Sequence, residues 1–220
     1  MGVINVDMHI HTIDSKDSLC SYESILKVCK KRNIDCIAIC DHDSIRGAQI
    51  ISNMNTEIKI IIGEEINTAQ GEIIGLFLKQ WIEPNMDVFN TIKKIREQNG
   101  IVYIPHPFDR LRKKRLKPDV LYDVCELSDI IEVFNSRNVY NEDNIKAFEF
   151  AQSKEILKGL GSDAHTPFEI GNSYIKMQDF NSPEEFLTSL SNAQYITKKS
   201  PLFVHFITKI VKHYNRWRTR

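Results

Sequence analysis

Short apolar runs alternate with longer amphipathic ones along this chain. Residues 4–8 read as a strand, 21–32 as a helix whose apolar face carries Ile25, Leu26, Val28 and Cys29, and 36–40 (CIAIC) as a buried strand. A helix over 46–54, a strand over 59–62 ended by Gly63, and a strand over 72–78 follow. Residues 87–98 predict a helix closed by Asn99-Gly100, and 101–104 a strand. A short helix (120–125), a strand (130–134), a helix (143–153) and a strand (156–160) repeat the rhythm. Ser182 as N-cap, Pro183 in the first turn and Glu185 at capping-box spacing start the last core helix. Such alternation implies a mainly parallel sheet with right-handed crossovers. An open doubly wound sheet and a closed barrel both satisfy it.

Polar residues decide between the two. Five of the seven histidines, His9, His11, His42, His106 and His165, fall just after predicted strands. They sit in VDMHIHT, CDHDS, PHPFDR and GSDAH, while GEE puts Glu64 and Glu65 after another strand and IEVFNSR puts Glu132 within one. One such histidine is unremarkable; recurrence over consecutive strands is not. A barrel brings its C-terminal strand ends to one mouth, whereas an open sheet spreads them. Alternation points His9 and His11 to one side of an extended strand, as a chelating pair, and Asp163 with His165 likewise. A carboxylate such as Glu65 can bridge two cations, and mixed nitrogen and oxygen donors suit Mn, Zn or Fe over Ca or Mg.

Lys plus Arg equals Asp plus Glu, 29 each, so no global field favours nucleic acid or a membrane. Hydrophobic residues at 42% are enough for one buried core, and no linker or repeat divides residues 1–200. The start of the chain has no secretory pattern, and no charge-free stretch is long enough to span a bilayer. Five cysteines without a CxxC pair fit reduced, buried thiols, and with them a cytoplasmic protein. Residues 201–220 form a basic amphipathic helix or tail, with Phe203, Phe206, Ile207, Ile210, Tyr214 and Trp217 at helical spacing among Lys209, Lys212, Arg216, Arg218 and Arg220. The stripe either packs on the barrel or meets a partner subunit or anionic membrane surface. His205 and His213 in this segment receive no role.

HxHT followed by SKDS, DHDS, GEE, PHP and GSDAH, in that order between Asp7 and Ile170, resembles the PHP (polymerase and histidinol phosphatase) family of metal-dependent phosphoesterases, in its small stand-alone form. The resemblance implies an α/β fold, a distorted (β/α)7 TIM-like barrel, holding two or three divalent transition-metal ions. It implies one ion on His9, His11, Glu65 and Asp163, with Glu65 bridging to a second on His106. A third falls to Asp17, His42 and His165. At one point the sequence departs: the family has a histidine opening a strand of the type HIVGL, and here Glu72 opens EIIGL. Glu72 is either an oxygen ligand or an exposed acidic residue, and Glu132 either a ligand or an outer orienter. Arg137 and Arg110 are candidates to fork onto phosphate, and Asp163 or His165 to manage protons. The expected reaction is hydrolysis of a small phosphomonoester, nucleotide or short oligonucleotide, without a stable nucleic-acid complex. Histidinol phosphate and phosphotyrosine are alternative substrates. A C–N hydrolase of the amidohydrolase kind and a non-catalytic metal-binding module are the rival classes.

Overall fold

The computed structural model describes residues 2–218. Its elements run β1 (Val3–Ile10), α1 (Tyr22–Arg32), β2 (Cys36–Ile39), α2 (Arg46–Ser52), β3 (Lys59–Thr68), β4 (Gly71–Leu76), α3 (Val88–Arg96), β5 (Ile101–Ile104) and α4 (Pro118–Glu126). They continue with β6 (Ile130–Asn135), α5 (Asn141–Ser153), β7 (Leu157–Gly161), β8 (Tyr174–Gln178), α6 (Pro183–Ser191), β9 (Gln194–Ile196) and α7 (Phe203–Arg218). Local chemistry sets the helix starts. Ser21 and Ser182 cap α1 and α6 by accepting from the amides of Ser24 and Glu185. The Glu185 carboxylate reaches back one residue further than the capping-box spacing predicts, accepting from Asn181 N at 2.8 Å.

The sheet runs β7-β6-β5-β4-β3-β2-β1-β8-β9. Strands β1, β2 and β3 are mutually parallel, as are β5, β6 and β7. Strand β4 runs antiparallel between β3 and β5. The sheet is thus mainly parallel, as the alternation predicts, with β3 and β4 forming a hairpin. This reversal places the start of β4, and with it Glu72, on the rim where the parallel strands end. Strands β8 and β9, which the sequence reading left as connections, extend the sheet beyond β1.

Closure is achieved on the upper half of β1 only. Its lower half, Val3 to Val6, pairs with β8. Its upper half meets the segment after β7, with His9 O accepting from Asp163 N at 2.8 Å and His11 N donating to Ala164 O at 3.0 Å. Gly161 permits this approach, since a Cβ there would come within 2.3 Å of His9 Cβ. The result is a nearly closed, distorted α/β barrel.

Inside it, Val6, Met8, Ala38, Cys40, Ile61, Ile74, Leu76, Tyr103 and Leu160 form one buried cluster. Two further clusters lie under the surrounding helices. All five cysteines are buried free thiols. Among the described residues no helix is long and apolar enough to cross a membrane.

Helix α7 forms, and of its apolar stripe only Ile207 is half-buried; the rest faces solvent. Phe206 is 67% and Trp217 74% exposed, and Phe203, Ile210 and Tyr214 are exposed with them. The opposite face meets the protein: Arg137 donates to Thr208 Oγ1 at 2.6 Å, and Asn215 to Lys16 O at 2.9 Å. Arg220, and the side chains of Arg216 and Arg218, lie outside the described residues.

Candidate metal centre

Strand register turns the candidate side chains inward. Between Asp7 and Ile10, β1 advances three residues while β2 advances two, from Ile37 to Ile39. This bulge flips the parity of β1, so His9 and His11 face the barrel axis as Val6 and Met8 do below them. Strand β6 has a similar shift between Glu132 and Phe134, which brings Asn135 to the same side as Glu132. Without irregularity, β3 carries Ile61, Gly63 and Glu65 inward. Glu64 points the other way, where it accepts from Ile82 N at 3.0 Å and burial pushes its carboxyl up to about 8. Asp163, His106 and Asp43 have positive φ of 52°, 30° and 54°. Backbone strain in non-glycine residues is typical of functional sites.

Four donor atoms converge at the centre. His9 Nε2 stands 3.1 Å from His11 Nε2, 3.6 Å from Glu65 Oε2 and 3.8 Å from Asp163 Oδ1. His11 Nε2 is 3.4 Å from Glu65 Oε2 and 3.3 Å from Asp163 Oδ1. The other ring nitrogens fix the tautomers. His9 Nδ1 faces Glu132 Oε1 at 3.0 Å, and His11 Nδ1 faces Ser15 Oγ at 3.2 Å. Ser15 gives its own proton to Asp41 at 2.7 Å, so it accepts from His11. In the neutral rings both Nε2 lone pairs are thereby directed at one another and at two carboxylates, an arrangement that a metal ion, or in its absence a proton on His9, relieves.

The dimensions fit one. Ligands about 2.1 Å from a tetrahedral ion stand about 3.4 Å apart. Moreover, Glu65 Oε2, Asp163 Oδ1, Asp17 Oδ1, His42 Nδ1 and His106 Nδ1 are buried without a hydrogen-bond partner. Sets of three around His9, His11 and Asp163, around His11, His42 and His165, and around His42, Glu65 and Glu72 each converge within 4.8 Å.

The flanks extend the centre. Asp17 Oδ1 lies 3.7 Å from His42 Nε2 and 3.6 Å from His165 Nε2. His106 Nε2 is 2.8 Å from Glu65 Oε1. Glu72, at 2% exposure, sits 4.0 Å from His42 Nδ1 and 3.7 Å from Lys114 Nζ, which overturns its reading as an exposed residue. Glu132 is saturated: His9 Nδ1 and Tyr103 OH meet one oxygen, His106 N and Asn135 Nδ2 the other. Of its two sequence readings, that saturation matches the orienter.

Electrostatics follow from this crowding. Burial opposes charge on His9, but Asp163, Glu132 and Glu65 together outweigh it and hold its pKa well above the usual imidazole value. Burial and the neighbouring His165 drive His11 well below. Burial also opposes charge on Glu65, yet His42 and His9 hold its carboxyl far below the ordinary range. Asp163 behaves likewise, with Arg112 the main opposing charge. Glu72 is pushed up by burial and by Glu65.

The arginines divide differently from expectation. Arg110 does not line the site. Its Nε and Nη2 donate to Asp143 Oδ1 at 2.9 and 2.7 Å, and its guanidinium lies over Tyr140. Arg112, two residues on, reaches Asp163 Oδ2 and pairs with Asp109 at 3.2 Å. The sequence signal was the basic run after PHPFD, from which the arginine nearest the motif was taken. Arg137 is 4% exposed, with Nε 3.6 Å from Glu169 Oε1. Glu169, also missed, accepts from His165 N at 3.2 Å and Thr166 N at 3.0 Å, fixing the loop that carries His165.

A cavity of about 1170 Å³ opens over the centre, walled by Arg112, Lys114, Arg137, Lys209 and Lys212 beside His42 and His165. Lys212 Nζ reaches Asp17 Oδ2 at 3.3 Å, so α7 forms one wall. A separate cavity of about 920 Å³ beside β8 and α6, lined by Lys176, Gln178 and Glu184, gathers none of the candidate residues.

A buried histidine–carboxylate centre at the mouth of a distorted α/β barrel defines a metal-binding barrel protein. Comparison with known proteins narrows the class. A PHP-associated family model matches residues 141–195. An uncharacterized protein of Methanocaldococcus jannaschii, MJ0417, is 41% identical over 197 residues, spanning 85% of this chain and 79% of its own. Two solved structures share the fold. One is a two-domain protein of Bacteroides vulgatus described as containing a predicted PHP-like metal-dependent phosphoesterase. It is 18% identical with TM-score 0.67, covering 90% of this chain and 65% of that one. The other is a lesion-specific endonuclease of Pyrococcus furiosus, 16% identical with TM-score 0.60, covering 88% and 58%. The chain belongs to the PHP family.

Proposed function

We propose that this protein hydrolyses phosphate esters with two or three divalent transition-metal ions, Mn, Zn or Fe. The observation that carries the reading is the buried focus of His9, His11, Glu65 and Asp163, whose donor spacings of 3.1 to 3.8 Å suit a metal ion. Those four would hold the first ion, Glu65 with His106 and Glu72 would hold a second, and Asp17, His42 and His165 a third. When bound, the ions supply Lewis acidity toward water and the phosphoryl oxygens.

The chain's own residues do the rest. Glu132 and Ser15 keep His9 and His11 in the tautomers that present Nε2. Arg112 and Arg137 face the cavity as fork donors for a phosphoryl group, and Lys114 and Lys212 add charge around it. Arg110, bound to Asp143, takes no part. Asp163 is engaged by Arg112, and His165 Nδ1 by its neighbour's carbonyl at 2.9 Å, so both serve as ligands and not as free bases. A cationic wall around a cavity of about 1170 Å³ suits a small phosphomonoester, a nucleotide or the end of a short oligonucleotide. Glu65 as the bridging side chain, with no lysine at that position, favours phosphoester over C–N hydrolysis.

The test is a panel of phosphomonoesters, nucleotides and short oligonucleotides assayed with protein reconstituted in Mn, Zn or Fe. Turnover of at least one class, lost on chelation, is expected. A protein that carries its metals yet is inert on the whole panel would overturn the reading.

A further inference from the structure

Helix α7 carries apolar side chains on two faces, and the larger set faces away from the barrel. At 100° per residue, Phe203, Phe206, Ile210, Tyr214 and Trp217 fall within an arc of about 80°. That arc faces solvent, with exposures from 52% to 74%. The opposite side is the one bound to the barrel, through the fully buried Val204 and the half-buried Val211 together with Thr208, Lys212 and Asn215. Soluble helices bury their large apolar side chains because exposure leaves them in water. The patch continues onto the barrel, where the exposed Phe168 ring lies 5.6 Å from that of Phe203.

Charge selects what covers it. Residues 201–220 contain five Lys and Arg and no Asp or Glu, so the remainder of this neutral chain has an acidic excess of five. A second copy docked helix to helix would bring two such cationic segments together. The stripe is also aromatic: four of its five residues are Phe, Tyr or Trp. A coiled-coil seam favours Leu, Ile and Val and protein interfaces deplete Lys, whereas aromatic residues flanked by Lys suit a lipid headgroup boundary. Lys209 lies on the shoulder of the arc, about 100° from its centre by helical geometry, where a cation meets lipid phosphate while the rings enter the acyl boundary.

We propose that α7 seats this protein on an anionic membrane surface, with the aromatic stripe inserted at the headgroup level and the metal centre held directly behind the helix. The proposal is independent of the phosphoesterase reading because its readout is binding.

The test is cosedimentation of the full chain with phosphatidylcholine vesicles, pure or with about a third phosphatidylserine. Binding to the anionic vesicles, absent from the neutral ones and weakened by a tenfold rise in salt, is expected. The Phe206→Ser/Ile210→Ser variant, checked by its unfolding midpoint, should bind at least tenfold less. In a Trp81→Phe background Trp217 is the remaining indole, and its emission should be quenched by brominated lipid. This second measurement needs no change to α7. Wild-type protein left in the supernatant at every composition would overturn the proposal. So would equal binding by the variant, an unquenched Trp217, or a solution dimer that the variant dissolves.

Discussion

Two regions of the barrel interior lie within one pleat of each other and follow opposite rules. Below, Val6, Met8, Ala38, Ile61, Ile74, Leu76 and Leu160 meet in an apolar cluster where every contact is satisfied by shape. Above, on the same strands or just past their ends, His9, His11, Glu65, Glu72 and Asp163 are as deeply buried, yet Glu65 Oε2 and Asp163 Oδ1 have no hydrogen-bond partner. Each unpaired buried polar atom costs about 1–3 kcal/mol. The lower region therefore holds the barrel together, and the upper region spends stability on donors pre-aimed at a cation. A fold can bear the second because the first lies directly beneath it.

That contrast breaks most visibly through His9→Ala/His11→Ala. Removing both imidazoles should lower phosphoesterase turnover by at least about a thousandfold, the several kcal/mol that bound metal contributes. The variant should stay folded on the apolar cluster beneath, though it unfolds earlier than metal-free wild type, since the orphaned oxygens of Glu65 and Asp163 remain and lose the His9 charge that offsets them. Full activity would detach function from the centre, and collapse of the fold would show that the rim bears structural load. The converse change is Leu76→Ala, in β4 well below Glu72. It should cost about 2–5 kcal/mol in denaturant unfolding while metal content, read by elemental analysis, stays at the wild-type value. Loss of metal would mean the two regions are not separable.

Metal titration sharpens the same point from the other side. At a free ion concentration a hundredfold above Kd, binding adds about 2.7 kcal/mol. For a chain of this length that raises the thermal midpoint by roughly 5–10 °C. Calorimetry with Mn or Zn, and with chelator, reads it directly. An unchanged midpoint would contradict the view that the rim destabilises the metal-free fold.

How far the sequence discloses this depends on which force sets each position. The family resemblance favours Glu65 over Glu64, and the strand then turns Glu65 inward and Glu64 outward; spacing alone pairs His9 with His11. The side of the sheet they occupy was hidden, because the bulge between Asp7 and Ile10 reverses a parity that Ile4, Val6 and Met8 would extend outward. Arg112 was passed over for Arg110 because chain distance from PHPFD says nothing about which guanidinium a loop folds over the cavity and which Asp143 captures. Strands β8 and β9 escaped notice because Tyr174–Gln178 is short and two of its five residues are polar. Helix α7 was legible as a helix, but the barrel engages the side that carries Val204 and Val211, and amphipathicity cannot report which of two apolar faces docks.

The smallest expected effect concerns Glu72, where the chain departs from the family pattern. Antiparallel β4 brings it to the rim, 2% exposed and beside His42 and Lys114. As a ligand it supplies an oxygen where an imidazole is usual, which tilts the site toward harder ions. Glu72→Gln keeps the shape and removes the charge, and should weaken retention of one ion about tenfold, the lower end for a perturbed coordination sphere. Glu72→His restores the imidazole and should hold that ion while shifting preference from Mn toward Zn. Dialysis of the three proteins against equal Mn and Zn, followed by elemental analysis, compares them under one condition. Identical occupancy and identical Mn-to-Zn ratios in all three would make Glu72 a bystander. The carboxylate would then serve Lys114 and not the metal, and the second ion would rest on Glu65 and His106 alone.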